Sequence, residues 1–129
     1  MNGYIGAEQV LIVGKEMLIG SSWDPYETLF EDDGDTGYFY AVDTRLNDPV
    51  IDALHIYNVS NVTDGDKPSK VQIVWSNDGL KSALLINNYV HAIFDFDGKR
   101  GYCRTGFPPI TYWSKDGHDW DESALDLFK

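Results

Sequence analysis

The sequence predicts a mainly antiparallel β domain, a sandwich or strongly bent sheet of about seven to nine strands, with one short C-terminal helix. Two observations predict this fold class. Short segments of alternating apolar and polar residues are separated by turn residues along most of the chain. After Pro109 the alternation ends, and the apolar residues recur at a helical spacing.

The segment from Lys70 to Pro109 is predicted to form a four-strand meander. Its turns fall at residues 77–79, 87–88 and 97–98, where Asn, Asp and Gly tolerate a positive φ. Alternation puts a set of apolar residues on one face of the first and third strands. The set is Val71, Ile73, Trp75, Val90, Ala92, Phe94 and Phe96. We expect this meander to be the folding core.

Five further segments before the meander have strand patterns. Residues 10–13 and 16–19 predict a hairpin about Gly14-Lys15, a pair suited to a tight turn. Residues 26–31 and 38–43 predict a second hairpin, and residues 51–59 predict another strand.

The last residues predict a short helix. Asp119 is placed to cap its start, and Glu122 follows three residues later, as in a capping box. The apolar residues form one stripe, so the helix should dock on the sheet. They are Trp120, Ala124, Leu127 and Phe128.

Four short motifs in the meander resemble those of a family of small uncharacterised bacterial proteins, a domain of unknown function. They are W-S-x-D-G, A-L-L-I-N, H-A-x-F-D-F and G-Y-C-R-T-x-F-P, in that order, between Trp75 and Pro108. The resemblance implies a bacterial protein of one small domain. It carries over no catalytic residue.

Composition is that of one globular domain over residues 1–129, with 43% hydrophobic residues. No run approaches the roughly 18 apolar residues of a membrane helix. The first residues lack the basic start and apolar core of a signal peptide. The single cysteine, Cys103, excludes an intrachain disulfide. Together these features predict a cytoplasmic protein.

The net charge of −11 is the most unusual global feature. It argues against nucleic acid and anionic membranes as partners, because basic residues supply most of the affinity for both. The charge is unevenly placed: residues 67–104 hold six bases and three acids, whereas the remainder holds 18 acids and four bases.

The sequence contains no catalytic, cofactor or metal signature. Cys103 lies among apolar neighbours and is expected to be structural. The three histidines lack metal-ligand spacing. The acids of residues 31–35 suggest calcium, but they do not alternate and no Glu closes an EF-hand loop, so a solvated hairpin tip is the expected structure.

Two acidic stretches with interleaved aromatic residues form the candidate binding site. Eight acids and no Lys or Arg lie between residues 16 and 44, and five acids lie between residues 116 and 126. Carboxylates can steer a basic protein and aromatic side chains can anchor it. The candidate residues are Trp23, Glu31, Asp32, Asp33, Asp35, Tyr38, Tyr40, Trp113, Asp116, Asp119, Trp120, Asp121 and Glu122.

These features favour a non-enzymatic binding protein, whose expected form is a bacterial immunity protein that neutralises a basic toxin, such as a nuclease, by stoichiometric binding. This expectation rests on size, acidity and the lack of a catalytic motif. One alternative is a small-molecule-binding or enzymatic β domain with an aromatic-lined pocket. Another is a structural homodimer joined by its edge strands.

Overall fold

The computed structural model describes residues 3–128, which form nine strands in two antiparallel sheets. The fold class is therefore the predicted one. The strands are β1 (Tyr4–Leu11), β2 (Met17–Trp23), β3 (Tyr26–Asp32), β4 (Thr36–Asp43), β5 (Val50–Asn58), β6 (Ser69–Trp75), β7 (Lys81–Ile86), β8 (Tyr89–Asp95) and β9 (Arg100–Cys103). Between β5 and β6 lies a 3-10 turn, Val59–Asn61.

The two sheets pack face to face. One has the strand order β1-β6-β7-β8-β9, and the other has the order β2-β3-β4-β5. Residues 70–103 form the predicted four-strand meander. Its first two turns have a positive φ at predicted residues, Gly79 and Asn87-Asn88, but in the third turn the positive φ falls on Lys99 rather than on Asp97 or Gly98. The second predicted hairpin is β3 and β4, and the strand expected at residues 51–59 is β5.

The predicted hairpin about Gly14 is wrong. β1 pairs with β6 of the five-stranded sheet, whereas β2 pairs with β3 of the other sheet. Gly14 does turn the chain, with a φ of 87°, and its N–H donates to Asp32 Oδ2 at 2.8 Å. The turn therefore carries the chain from one sheet to the other.

The main core lies between the sheets and contains the aromatic residues of both. Phe39 of β4 stacks on Phe94 of β8, with ring centroids 5.0 Å apart. Buried polar pairs also link the layers: Trp75 Nε1 donates to Ser21 Oγ at 2.8 Å, and the hydroxyls of Thr28 and Ser82 lie 2.8 Å apart. A buried polar group with a partner avoids the free-energy penalty of desolvation.

The C-terminal element is a 3-10 helix, Glu122–Phe128, on the outer face of the five-stranded sheet. Its Ala124 and Phe128 pack in a second apolar cluster with Val74, Ala83 and Ile93. The helix begins later than predicted, and Asp121 rather than Asp119 accepts the N–H of Ser123 at its start. None of the helices in residues 3–128 has the length and hydrophobicity of a membrane span.

Truncating the central aromatic pair should unfold the protein more easily. Phe94 is fully buried between the sheets, so Phe94→Ala should lower the free energy of unfolding by about 3–5 kcal/mol. Tyr112→Ala is the control, because its side chain is 94% exposed, and it should change that free energy by less than about 0.5 kcal/mol. Urea denaturation measures both, and equal midpoints for wild type and Phe94→Ala would contradict the core assignment.

Candidate functional site

The outer face of the four-stranded sheet is the candidate site. The C-terminal helix covers the outer face of the other sheet, but no described helix or strand covers this one. Its four strands contain no Lys or Arg. Alternation about the buried Phe39 and Ala41 turns Tyr38 and Tyr40 to this face. The face is therefore aromatic, open and free of positive side chains.

A tyrosine pair with one carboxylate occupies the middle of this face. The rings of Tyr38 and Tyr40 stack with centroids 6.0 Å apart. Glu31 pairs with Tyr38 in the strand register, and its Oε1 accepts the Tyr40 hydroxyl at 3.3 Å. Burial and the nearby Glu31 charge raise the pKa of Tyr40, so its hydroxyl remains a donor. The rings are thereby held half-buried beside a negative charge.

The aromatic surface continues onto β5 and the segment that follows β9. The ring of His55 lies 5.2 Å from the Tyr38 ring and 5.8 Å from the Phe107 ring. Tyr38, His55 and Phe107, with Thr36, Asn58 and Thr105, line an open depression of about 500 Å³. His55 and Phe107 were not predicted as site residues. His55 lies in a strand and Phe107 lies in a loop about fifty residues later. No pattern in the sequence indicates that the two side chains are neighbours.

The first acidic cluster has two different roles. Asp32 is buried, and its carboxylate accepts the N–H groups of Gly14 and Gly34 and the Tyr57 hydroxyl, at 2.8, 2.9 and 2.6 Å. Asp33 holds the β3–β4 turn by accepting the backbone N–H groups of residues 35 and 36, which lower its pKa. Asp33 and Asp35 are exposed and Glu31 is half-buried, so these three members leave surface for a partner, whereas Asp32 does not.

Two of the predicted tryptophans pack against the main core. The Trp113 ring contacts the rings of Phe94 and Phe96, at 6.2 and 5.9 Å between centroids. Trp23 packs on Trp75 and closely covers Gly79. Both side chains are half-buried, and neither lies beside the tyrosine pair.

The second acidic cluster is on the opposite layer of the sandwich. Trp120 packs on the outer face of the five-stranded sheet, and the Arg104 guanidinium lies 3.8 Å from its ring centroid. Glu122 accepts both Arg104 Nη1 and Trp120 Nε1. Asp121 caps the helix, and Asp116 and Asp119 are exposed. The two predicted clusters therefore do not form one surface.

A buried polar network closes the sandwich beside this face. Asp52, at the edge of β5, accepts hydrogen bonds from Thr111 Oγ1, Ser114 Oγ and His118 Nε2, at 2.9, 2.6 and 2.8 Å. It also accepts the N–H of Ala53 at 3.0 Å. The residues lie 59 to 66 positions apart in the sequence, so no local motif predicted the network.

The hydrogen bonds fix the protonation of the network. Ser114 Oγ accepts the Gly101 N–H, so its own hydrogen points to Asp52. His118 Nδ1 faces the carbonyl of Pro108, which can only accept, so Nδ1 carries a hydrogen, and beside an ionised Asp52 the Nε2 atom carries one as well. Burial lowers the pKa of His118, but its bonds to Asp52 and Pro108 outweigh burial and leave that pKa above its ordinary value.

Ser114, His118 and Asp52 lie together here, but their hydrogen bonds do not form the pattern that activates a serine nucleophile. Ser114 Oγ donates to Asp52 rather than to His118, and Ser114, Asp52 and His118 are all buried. A nucleophile needs a base within reach of its proton. Among residues 3–128, no group of three or more His, Cys, Asp or Glu side chains could hold a metal ion. The network is a structural tie between β5 and the segment after β9.

A family model described as "Uncharacterized protein conserved in bacteria (DUF2251)" matches residues 11–129. The chain belongs to this family. A Haemophilus influenzae (strain ATCC 51907 / DSM 11121 / KW20 / Rd) relative, described as an uncharacterized protein, is 36% identical over 120 residues, which are 88% of this chain and 74% of the relative. No solved structure matches the chain. The predicted membership of a family of uncharacterised bacterial proteins is thus confirmed.

Removing one member of the buried pair should strongly destabilise this DUF2251 protein. His118→Gln leaves the Asp52 carboxylate buried without its countercharge, so the free energy of unfolding should fall by about 3–5 kcal/mol. The double variant Asp52→Asn/His118→Gln removes both charges. Its loss in the free energy of unfolding should be smaller than the sum of the losses for Asp52→Asn and His118→Gln. Urea denaturation of wild type, the two single variants and the double variant measures the coupling free energy between Asp52 and His118.

The pair should also give a distinct pH dependence. Because the folded pKa of His118 lies above its unfolded value of about 6.5, its contribution is fully present below that pH. It is lost as the pH rises through the folded pKa. The stability gap between wild type and His118→Gln should therefore shrink on going to alkaline pH. A gap that grows with pH would contradict a protonated His118.

Cys103 should be chemically inert in the folded protein. Its side chain is fully buried, and Sγ contacts the His55 carbonyl and the Thr105 hydroxyl, at 3.3 and 3.1 Å. A thiol reagent such as dithionitrobenzoate should label it only as fast as the protein unfolds. Labelling of native protein faster than that of free cysteine would show a reactive thiolate and contradict this expectation.

Proposed function

We propose that this protein is a non-enzymatic binding protein that holds a basic protein partner on the outer face of its four-stranded sheet. The single observation that carries the proposal is the composition of that face. Half-buried tyrosines are held beside Glu31, and the four strands contain no Lys or Arg. Tyrosines can anchor a partner because they bury a large area and lose little conformational freedom.

The chemistry of the face suits guanidinium and ammonium groups. The stacked rings of Tyr38 and Tyr40 offer π faces to a cation, and Glu31 supplies a charge beside them. The net charge of −11 would draw a basic protein toward this surface from a distance. The finer form of the proposal is a cytoplasmic immunity protein that neutralises a basic bacterial toxin by stoichiometric binding.

One observation favours the small-molecule alternative. The depression beside His55 and Phe107 has a volume of about 500 Å³, within the range of ligand sites. It is open along the sheet, whereas ligand sites usually enclose most of the ligand. An extended protein side chain fits an open depression of this kind better than a small molecule does.

The test begins with the immobilised protein and a lysate of the source bacterium. Wild type and Tyr112→Ala should capture the same basic protein, and Tyr38→Ala/Tyr40→Ala should not. The captured protein should be toxic when expressed alone, and co-expression of wild type should relieve the toxicity. An acidic captured protein, or one retained equally by the double tyrosine variant, would contradict the proposal.

Binding kinetics with the captured protein should distinguish the carboxylates, which are expected to set the association rate, from the tyrosines, which are expected to set the dissociation rate. Glu27 shares the outer side of β3 with Glu31. Glu27→Gln/Glu31→Gln should slow association about tenfold at low salt, and Tyr40→Ala should mainly speed dissociation. The matched control is Asp64→Asn/Asp66→Asn, which removes the same charge from the exposed loop between β5 and β6. An association rate independent of salt for wild type and both variants would leave the acids as solubilising groups alone.

A further inference from the structure

The sandwich has one closed side and one open side. On the closed side, the segment that follows β9 covers the edges of β5 and β9. The N–H of His55 donates to the Phe107 carbonyl, and that of Cys103 donates to the His118 carbonyl, both at 2.9 Å. Gly101 N donates to Ser114 Oγ at 2.8 Å. These edges therefore have partners within the chain.

The open side exposes the edges of β1 and β2. Each is the terminal strand of its sheet, and no segment within residues 3–128 pairs with its outer edge. On β1, the side chains of Tyr4, Ile5 and Val10 are 57%, 61% and 65% exposed. An edge strand of this kind offers backbone donors and acceptors to another strand.

β1 lacks most of the features that protect an edge from pairing. It contains no Pro, Lys or Arg, and its only charged residue is Glu8. A register irregularity between Ile5 and Ala7 interrupts its first half. Residues 7–11 then pair continuously with β6, so their outer edge is straight enough to take a further strand.

We propose that a second copy of this chain pairs antiparallel with residues 7–11 of β1 and extends the five-stranded sheet across a two-fold axis. The charge distribution favours a second copy here. The chain carries −11, so like charges oppose self-association over most of the surface, but residues 3–14 contain one acid and no base. Two antiparallel strands about a two-fold form the closed, isologous contact typical of dimers. This inference is independent of the proposed partner face.

The side chains select one register, with Gln9 on the axis. Glu8 and Val10 lie on the outer face of the sheet, whereas Ala7 and Leu11 pack toward the core. A continuous sheet keeps each residue on its own face, so the register can shift only in steps of two. With Gln9 on the axis, Glu8 faces Val10 of the second copy. A shift that put Glu8 opposite itself would oppose like charges. A shift that put Val10 opposite itself would pair only residues 9–11 of the continuous stretch, whereas the register with Gln9 on the axis pairs all of residues 7–11.

Sedimentation equilibrium of charge variants tests the pairing and its register. Wild type should be a dimer, and Val10→Glu should weaken the dimer about tenfold because it places two glutamates opposite Glu8. Lys70 lies beside Val10 on β6, so the folded monomer tolerates the change. Glu8→Lys/Val10→Glu should restore the dimer. Leu18→Glu, at a comparably exposed position on β2, should leave it unchanged.

Cross-linking gives a second measurement that does not depend on the charge variants. Opposed residues at the axis have Cα atoms about 4.5–5.5 Å apart, within disulfide range. Gln9→Cys should therefore form an intermolecular disulfide on oxidation, and Asn77→Cys, in an exposed turn, should not. The native Cys103 is buried and adds no background. A monomeric wild type, or a dimer weakened by Leu18→Glu but not by Val10→Glu, would overturn the proposal.

Discussion

The buried pair of Asp52 and His118 is the interaction on which the arrangement of the surface depends. A carboxylate in the interior must have its charge compensated and its lone pairs occupied, and here Thr111, Ser114 and the Ala53 N–H complete the set. Because the three side-chain donors belong to the segment after β9, their hydrogen bonds to Asp52 fix that irregular segment along β5. The edges of β5 and β9 are covered as a result.

That closure also determines which surfaces remain free. The chain after the network runs to the outer face of the five-stranded sheet, where Ala124 and Phe128 are buried. The four-stranded sheet keeps an open face, and the tethered segment places Phe107 at its border beside His55. The bases of residues 67–104 lie largely on or between the strands of the covered sheet. The covered layer therefore combines these bases with the acids of the C-terminal segment, whereas the strands of the four-stranded sheet contain no Lys or Arg.

The sequence predicted what local patterns determine. Alternation and turn chemistry located the meander, the β3–β4 hairpin and β5, and the same alternation placed Tyr38 and Tyr40 together. The turn at Gly14 was misassigned because a tight turn can join strands of one sheet or carry the chain between two sheets. Asp32 shares a face of β3 with Thr28 and Phe30, so strand alternation alone predicts its burial. It was instead assigned to the surface because it lies in a run of acidic residues.

Other features depend on contacts between distant residues. Trp113 lies in an irregular segment without a period, and only the packing against Phe94 and Phe96 shows that it faces the core. The Asp52 network joins residues some 60 positions apart, in an order that no motif encodes. The family membership relates the chain to other bacterial proteins, and the proposed function rests on the chemistry of the open face.

Hydrogen exchange of the protein with and without its captured partner tests the central claim most directly. If the open face of the four-stranded sheet is the binding surface, the partner should slow exchange in β3, β4 and β5 and at residues near Phe107. The C-terminal 3-10 helix and the outer face beneath it should exchange at the same rate in both states. Protection confined to that helix and to β6, β7 and β8 would contradict the account.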